Sequence, residues 1–437
     1  MRSIIATVGV VLAIGLSVPL TAAPAAIATP LTAITTHPAA AHPTPAHPTP
    51  AHRVTTHPRK HAHPRKHAHT KKKRRTPPPP RHPLFGVSCV STKRCVAVGE
   101  QYSPRSDKVR PLAEIWNGRK WATTAVRLPR GVTEGFLDAV SCRSARRCVA
   151  VGAYLVKGNH TRALAESWNG KTWTASRPPG PRGDPDVILD AVSCASARYC
   201  VGVGSSTTAE LAGAALIERW NGRAWAATTV RFPPGNDGGA LNGVSCPSAR
   251  HCLAVGGYYL RTGGTRALAE WWNGRKWYRG RPSLPGYAKS PMDEDVSCAS
   301  PASCLVVATD NSTSADVRGF SLLWRGKWSS ARVPKDAALS AVDCLSPKNC
   351  LAVGRLVTAA GRLIPPSAAR WNGKRWRLAP VPRPRTSGRL AAGYLNDVAC
   401  PSATDCVAVG AAVNTAETSS GFSEFWNGRA WKLVPVA

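Results

Sequence analysis

The residues best suited to chemistry recur at fixed intervals. Fourteen cysteines form seven pairs, each with five residues between partners: Cys89/Cys95, Cys142/Cys148, Cys194/Cys200, Cys246/Cys252, Cys298/Cys304, Cys344/Cys350 and Cys400/Cys406. Structural zinc asks for closer cysteines grouped in fours, often with histidine, and that pattern is absent. An even count at constant spacing is a disulfide framework and implies an oxidising compartment. Four residues before the first cysteine of each pair stand Phe85, Asp138, Asp190, Asn242, Glu294, Ser340 and Asn396. Among them Asp138, Asp190, Asn242, Glu294 and Asn396 are candidates to bind a sugar or a cation such as Ca²⁺. The competing reading is that they satisfy backbone groups where a strand begins. Ten of the twelve histidines precede Leu84. Of these, His57, His61, His63, His67 and His69 are candidates for a transition metal, against the plainer role of a solvated spacer. The sequence offers no nucleophile elbow, phosphate loop or paired metal motif, so no catalytic residue is assigned.

Those positions are carried by a repeat. The pairs begin at residues 89, 142, 194, 246, 298, 344 and 400. A period near 50 residues points to a propeller or a solenoid. In the second unit, 137–142 and 148–154 read as two short strands joined by a turn. Residues 162–168 and 171–176 read as two more, joined at Asn169-Gly170. Four short strands per unit without helical periodicity describe a propeller blade. The fold class is therefore all-β, a seven-bladed β-propeller of four-stranded antiparallel blades behind a disordered basic linker. No terminal strand is left over to complete another blade, so the ring is expected to close by packing the seventh blade on the first.

A second motif, Trp-Asn-Gly-[Arg/Lys]-x-Trp, recurs at Trp116/Trp121, Trp168/Trp173, Trp220/Trp225, Trp272/Trp277, Trp371/Trp376 and Trp426/Trp431. Asn-Gly signals a hairpin with positive φ at both residues. That register sets Trp116 opposite Arg119 and Glu114 opposite Trp121, with the base resting on the indole. This face, with Glu114, Glu166, Glu218, Glu270 and Glu424, is expected to pack on the neighbouring blade. The fifth unit departs from the pattern. It has Asp293-Glu294-Asp295, Ala308 in place of glycine, and a tip one residue short, Trp324 to Trp328. The shortening is expected to turn Trp328 to the other face. The Val140-Ser141-Cys142 to Gly152 core and Leu164-Ala165-Glu166-x-Trp168-Asn169-Gly170 resemble the repeats of secreted bacterial, especially actinobacterial, propeller proteins. They also resemble the Asp-box of sialidase-type propellers in the Gly118-to-Trp121 spacing. Glu114 and Trp116 stand where the Asp-box has Ser and Asp, which puts sialidase activity in doubt.

Charge and the N-terminus bear on partners. The chain has 58 Lys+Arg against 24 Asp+Glu, a formal net charge of +34. Residues 1–28 read as a signal peptide, with Arg2, an apolar run from Ile4 to Val18 and small residues around Ala23 to Ala28. An uncleaved anchor is the alternative. Residues 29–83 form a His/Pro/Lys/Arg-rich linker too poor in apolar residues to fold. Eleven basic residues between Arg53 and Arg81 meet no acid there. A net +22 remains from Leu84 onward, over 84–437. Such a polycation attracts anionic wall polymer or polysaccharide, and nucleic acid nonspecifically. The reading is a secreted, envelope-associated, monomeric binding or scaffold module without transmembrane segment after cleavage. The rival is a glycoside hydrolase or lyase at the channel mouth.

Overall fold

A computed structural model describes residues 82–437 apart from 104–105, 107, 159, 185, 208–212, 231, 233, 311–317, 358–363, 387–388 and 417, and of 292–294 it describes the backbone alone. The segment expected to be a signal peptide, the expected linker up to residue 81 with its basic run, and His57, His61, His63, His67 and His69 lie outside the described residues. Among the described residues twenty-eight strands form seven four-stranded antiparallel sheets, each in sequence order. In the first blade they are Leu84–Ser91, Arg94–Ser103, Lys108–Trp116 and Trp121–Thr124. The blades span 84–124, 135–176, 186–229, 236–280, 291–332, 337–379 and 390–434. Among the described residues no helix is long and apolar enough to cross a membrane.

The core lies between blades. Val96, Val98 and Ala113 of the first blade pack on Leu137, Val140, Trp168 and Trp173 of the second. The ring closes in the same way, with Leu84, Val87, Trp116 and Trp121 packed on Ala399, Val407 and Val409 of the seventh. Among the described residues no strand is exchanged at this seam.

All seven expected disulfides form, each across the hairpin between a blade's first two strands. Cys89 is bonded to Cys95, Cys142 to Cys148, Cys194 to Cys200, and Cys246 to Cys252. Cys298 is bonded to Cys304, Cys344 to Cys350, and Cys400 to Cys406. The second partner of every bridge is buried: Cys95, Cys148, Cys200, Cys252, Cys304, Cys350 and Cys406 all sit in the apolar clusters between blades. In the chain-entropy account, closing so short a loop is worth roughly 2–2.5 kcal/mol.

The tryptophan motif works differently from its sequence reading. Trp116 lies directly opposite Trp121, and Glu114 lies opposite Thr123. The tip is a four-residue loop in which Asn117 N–H donates to Lys120 O, and Asn117 Oδ1 accepts from the Arg119 and Lys120 amides. Only the glycine takes positive φ, 92° at Gly118. The asparagine side chain thus stands in for the second left-handed residue. Paired indoles touch at 5.7 Å between centroids in the first blade and face the preceding blade. Trp121 Nε1 donates to Ser423 Oγ there, and Trp173 to Thr124 Oγ1. Arg119 is exposed instead of resting on an indole. Cations reach the indoles from the blade before, as with Arg219 over Trp272 and Arg370 over Trp426. Trp328 does not turn over: it pairs with Trp324, centroids 5.4 Å apart, and a three-residue loop absorbs the deletion.

Candidate functional site: the channel wall

Apart from Glu294, whose side chain is not described, the side chains four residues before each first cysteine reach the channel through a bulge. Opposite Leu137 and Ala139 the ladder skips Asp138; elsewhere it skips Asn242, Ser340 and Asn396 in the same way. A bulge leaves its extra residue unpaired and re-aims its side chain. The glycine closing each Cys-Val-Ala-Val-Gly run makes room for it. A Cβ on Gly152 would run into the carbonyl oxygen of Phe136, and one on Gly410 into that of Tyr394. The bulges fall within the first strands, since Asp186–Ser196 starts well before Asp190.

Phe85, Asp138, Asp190, Asn242, Ser340 and Asn396 together line a cavity of about 360 Å³. Glu294 sits on a strand whose backbone is placed, but its side chain lies outside the description. Three further carboxylates share the wall, Asp295, Asp343 and Asp397, with Arg355 beside them. Sequence reasoning noted Asp295 only within an acidic cluster and missed the other two. Columns one and three residues before the first cysteine would have shown them. The cysteines take no part in the wall: neither the first partners nor Cys95, Cys148, Cys200, Cys252, Cys304, Cys350 and Cys406 line the cavity. They hold the hairpins that carry it.

These columns stitch blade to blade. Ser88 Oγ accepts from the Cys142 amide at 3.0 Å, and Ser141, Ser193, Ser245 and Ser297 repeat the bond to Cys194, Cys246, Cys298 and Cys344. Asp343 Oδ2 replaces the serine toward Cys400, at 2.7 Å. Asp295 accepts from Val342 N–H at 2.8 Å and Asp397 from Val87 N–H at 2.7 Å. Asn396 Nδ2 donates to Leu84 O across the seam. Three of the five channel aspartates are therefore committed to backbone amides, and none of the three is a position singled out from the sequence as a ligand candidate.

Asp138 and Asp190 differ from those three. They accept no inter-blade amide among the described residues. Loss of water lifts the Asp138 carboxyl well above its usual range, with Asp190 and Glu100 adding like-charge repulsion. Burial takes Asp190 to about 7. Burial likewise takes Asp295 to about 7 against its two amide bonds, and raises Asp397 well above normal with help from Asp295 and Asp343. At neutral pH the wall is therefore only partly ionised, and it offers both donors and acceptors to a polar guest. Among the described residues no three His, Cys, Asp or Glu side chains converge as a bound cation would require.

The remaining acids show a wider partition. Glu114, Glu166, Glu218 and Glu424 are wholly buried between blades, and Glu100, Glu270 and Asp310 nearly so. Of eighteen acids with described side chains, twelve lie between blades, within them or on the channel wall, and six remain outside: Glu134, Asp184, Asp186, Asp237, Asp336 and Asp405.

No protein-family model and no curated protein matches the chain. Solved propellers do. A structure described as YCF48 bound to D1 peptide is 10% identical with a TM-score of 0.43, over 82% of this chain and 95% of that one. The fucose-specific lectin from Aleuria aurantia is 12% identical, TM-score 0.40, over 69% and 96%. The GH74 xyloglucanase from Xanthomonas campestris is 14% identical, TM-score 0.46, over 80% of this chain and 54% of the enzyme. At these scores no residue role or activity transfers to this chain.

Proposed function

We propose that the chain is a secreted, non-catalytic binding propeller that associates with anionic envelope polymer or polysaccharide through its cationic surface and its basic N-terminal segment. The partition of charge carries this reading. The ring region holds 46 basic and 24 acidic residues, and most described acids are turned inward. Its outer surface is thus more cationic than composition alone implies, and long-range attraction to polyanions follows. Seven disulfides are compatible with life outside the cytoplasm. The test is retention of the full chain on isolated cell-wall material as salt is raised. Binding that declines steeply between about 50 and 500 mM salt is expected. Absence of binding at low salt would remove the reading.

One observation favours a second reading, a glycoside hydrolase or lyase. Asp138 and Asp190 come from adjacent blades, interact electrostatically in one polar cavity, and both have raised pKa values. A raised carboxylic acid beside a second carboxyl group is the machinery of glycoside cleavage. Release of reducing ends from a polysaccharide panel, lost in Asp138→Asn and Asp190→Asn, would establish it in place of the first.

A further inference from the structure

One end of the ring is almost wholly cationic. Strands alternate in direction, so the turn between a blade's first and second strands and the turn between its third and fourth lie at the same end. They touch. A Cβ on Gly118 would meet the Lys93 side chain at 3.1 Å, one on Gly222 would meet Arg198 at 3.1 Å, and one on Gly274 would meet Arg250 at 3.4 Å. Six of the seven blades therefore contribute a continuous two-turn rim to one face, and in the fifth the shortened tip at Gly326 stands clear.

Between the paired cysteines and between the paired tryptophans stand nineteen lysines and arginines and one acid, Asp405. All nineteen are exposed. Among the described residues none of them forms an ion pair; the three ion pairs, His160–Asp186, Arg261–Asp237 and Arg279–Glu270, lie elsewhere. Asp405 is bonded to the hydroxyls of Ser402 and Thr404. The repeat does not by itself account for the excess. One basic column belongs to the tryptophan motif, but Arg94, Lys120, Arg143, Arg147, Lys276 and Arg375 fall outside it. The opposite end, made of the linkers between blades and the loops joining second to third strands, carries the other five outer acids and two of the ion pairs. It is mixed in sign.

We propose that this turn face is the docking surface for a linear anionic polysaccharide. The proposal rests on the reading of the ring as a polyanion binder and assigns its contact face and partner class. Long, unpaired side chains spread around a rim match charges spaced along a flexible chain. The guanidinium fork suits carboxylate and other oxyanions. Other polyanions fit less well. Ten motif tryptophans are buried in blade interfaces and Trp220, Trp277, Trp324 and Trp328 are half-buried, so the face exposes no whole indole on which bases could stack. Of the exposed large apolar side chains only Leu345 lies in one of these turns, too little to anchor a lipid surface.

The experiment compares two charge-reversed forms of the full chain on immobilised polygalacturonate. One carries Arg119→Glu, Lys120→Glu, Arg143→Glu, Arg147→Glu, Arg275→Glu and Lys276→Glu. The other carries Arg110→Glu, Arg127→Glu, Arg130→Glu, Lys157→Glu, Arg182→Glu and Arg266→Glu, all exposed and toward the opposite end. Intact disulfides and an unchanged melting temperature establish that both are folded. The turn-face form is expected to bind more than ~tenfold more weakly with a shallower salt dependence, by the logic of counterion release, and the control to stay within about threefold of the parent. Equal loss in both forms overturns the face and leaves a diffuse cationic binder. No loss in either places binding in the N-terminal segment and also overturns it. Failure of the parent to bind removes the underlying reading as well. Tighter, equally face-dependent capture of duplex DNA or anionic vesicles overturns the polysaccharide.

Discussion

The channel wall and the turn face are neighbouring parts of the same hairpins, yet one gathers aspartates and the other gathers lysine and arginine. On the wall, charge is spent on structure. Asp295, Asp343 and Asp397 accept amides from the next blade, and burial raises the pKa of all five channel aspartates. On the turn face charge does no such work: the side chains are exposed and, among the described residues, without ionic partners. Acid placed inside serves the fold, and base left outside remains available to a partner.

The largest separation between the two regions should come from backbone crowding. Gly152 packs its Cα against the first strand beside the Asp138 bulge, where a side chain would collide with the Phe136 carbonyl. Gly152→Val is expected to cost more than about 4 kcal/mol and to yield no folded chain. Lys171→Glu, on the turn face of the same blade, should shift stability by less than about 0.5 kcal/mol. Thermal melts of the two variants check this. A folded Gly152→Val with an ordinary melting temperature would show that the bulge is not what the glycine serves.

The bulge marks the limit of what could be read from the chain. Blade count, strand order and disulfide pairing were all legible, because each follows from spacing repeated seven times. Which residues share the channel was legible only in part. A bulge makes Asp138 and Ala139, consecutive in sequence, face the same cavity, whereas strand alternation assigns them to opposite sides. Asp343 and Asp397 were hidden because they replace Ser and Ala or Gly in columns that look structural. The tryptophan tip was misread by two residues because Asn117 acts through its side chain and not through a left-handed backbone. The nearly acid-free charge of one face is written in the turns, but it emerges only when both turns are placed at one end.

Between wall and face lies a third population, the glutamates inside blade interfaces, and pH separates it from both. Glu166 and Glu424 are wholly buried, with neither carboxylate oxygen hydrogen-bonded among the described residues. Loss of water raises each from its ordinary 4.5 to about 8. Both are then protonated in the folded ring and ionised when unfolded across that interval, so folding takes up protons. The stability so gained is complete below pH 4.5 and is lost as pH rises through 8. The slope is at most about 1.4 kcal/mol per pH unit for each group. A Glu166→Gln, Glu424→Gln double variant carries neutral amides at every pH. Melting temperatures measured from pH 5 to 9 should fall less steeply for it than for the parent, and the variant should be the more stable at pH 8 by a few degrees. Parallel curves would mean that the parent's carboxyls find partners or water when ionised. Turn-face substitutions should leave the slope unchanged, because they touch neither glutamate.

The smallest expected effect tests whether channel polarity exists for stitching. Six of the seven blade junctions use a side chain one residue before the first cysteine to accept the next blade's cysteine amide. At the seam between the seventh blade and the first, that position is Ala399, and no side chain accepts from Cys89 N–H among the described residues. The seam relies instead on Asp397 to Val87 at 2.7 Å and Asn396 to Leu84 at 2.8 Å. Ala399→Ser adds one oxygen to a buried site whose six equivalents already hold such a group. It should complete the ladder and raise stability by about 0.5–1.5 kcal/mol, the net worth of an ordinary hydrogen bond. Asp397→Ala in the parent should cost roughly 1–3 kcal/mol by leaving the Val87 amide unpaired. It should cost less in the Ala399→Ser background, because the seam then keeps one rung. A double-mutant cycle on melting temperature reads that coupling directly. Strict additivity of the two changes, or a destabilising Ala399→Ser, would show that the seam is held by its packed tryptophans and valines and not by the ladder.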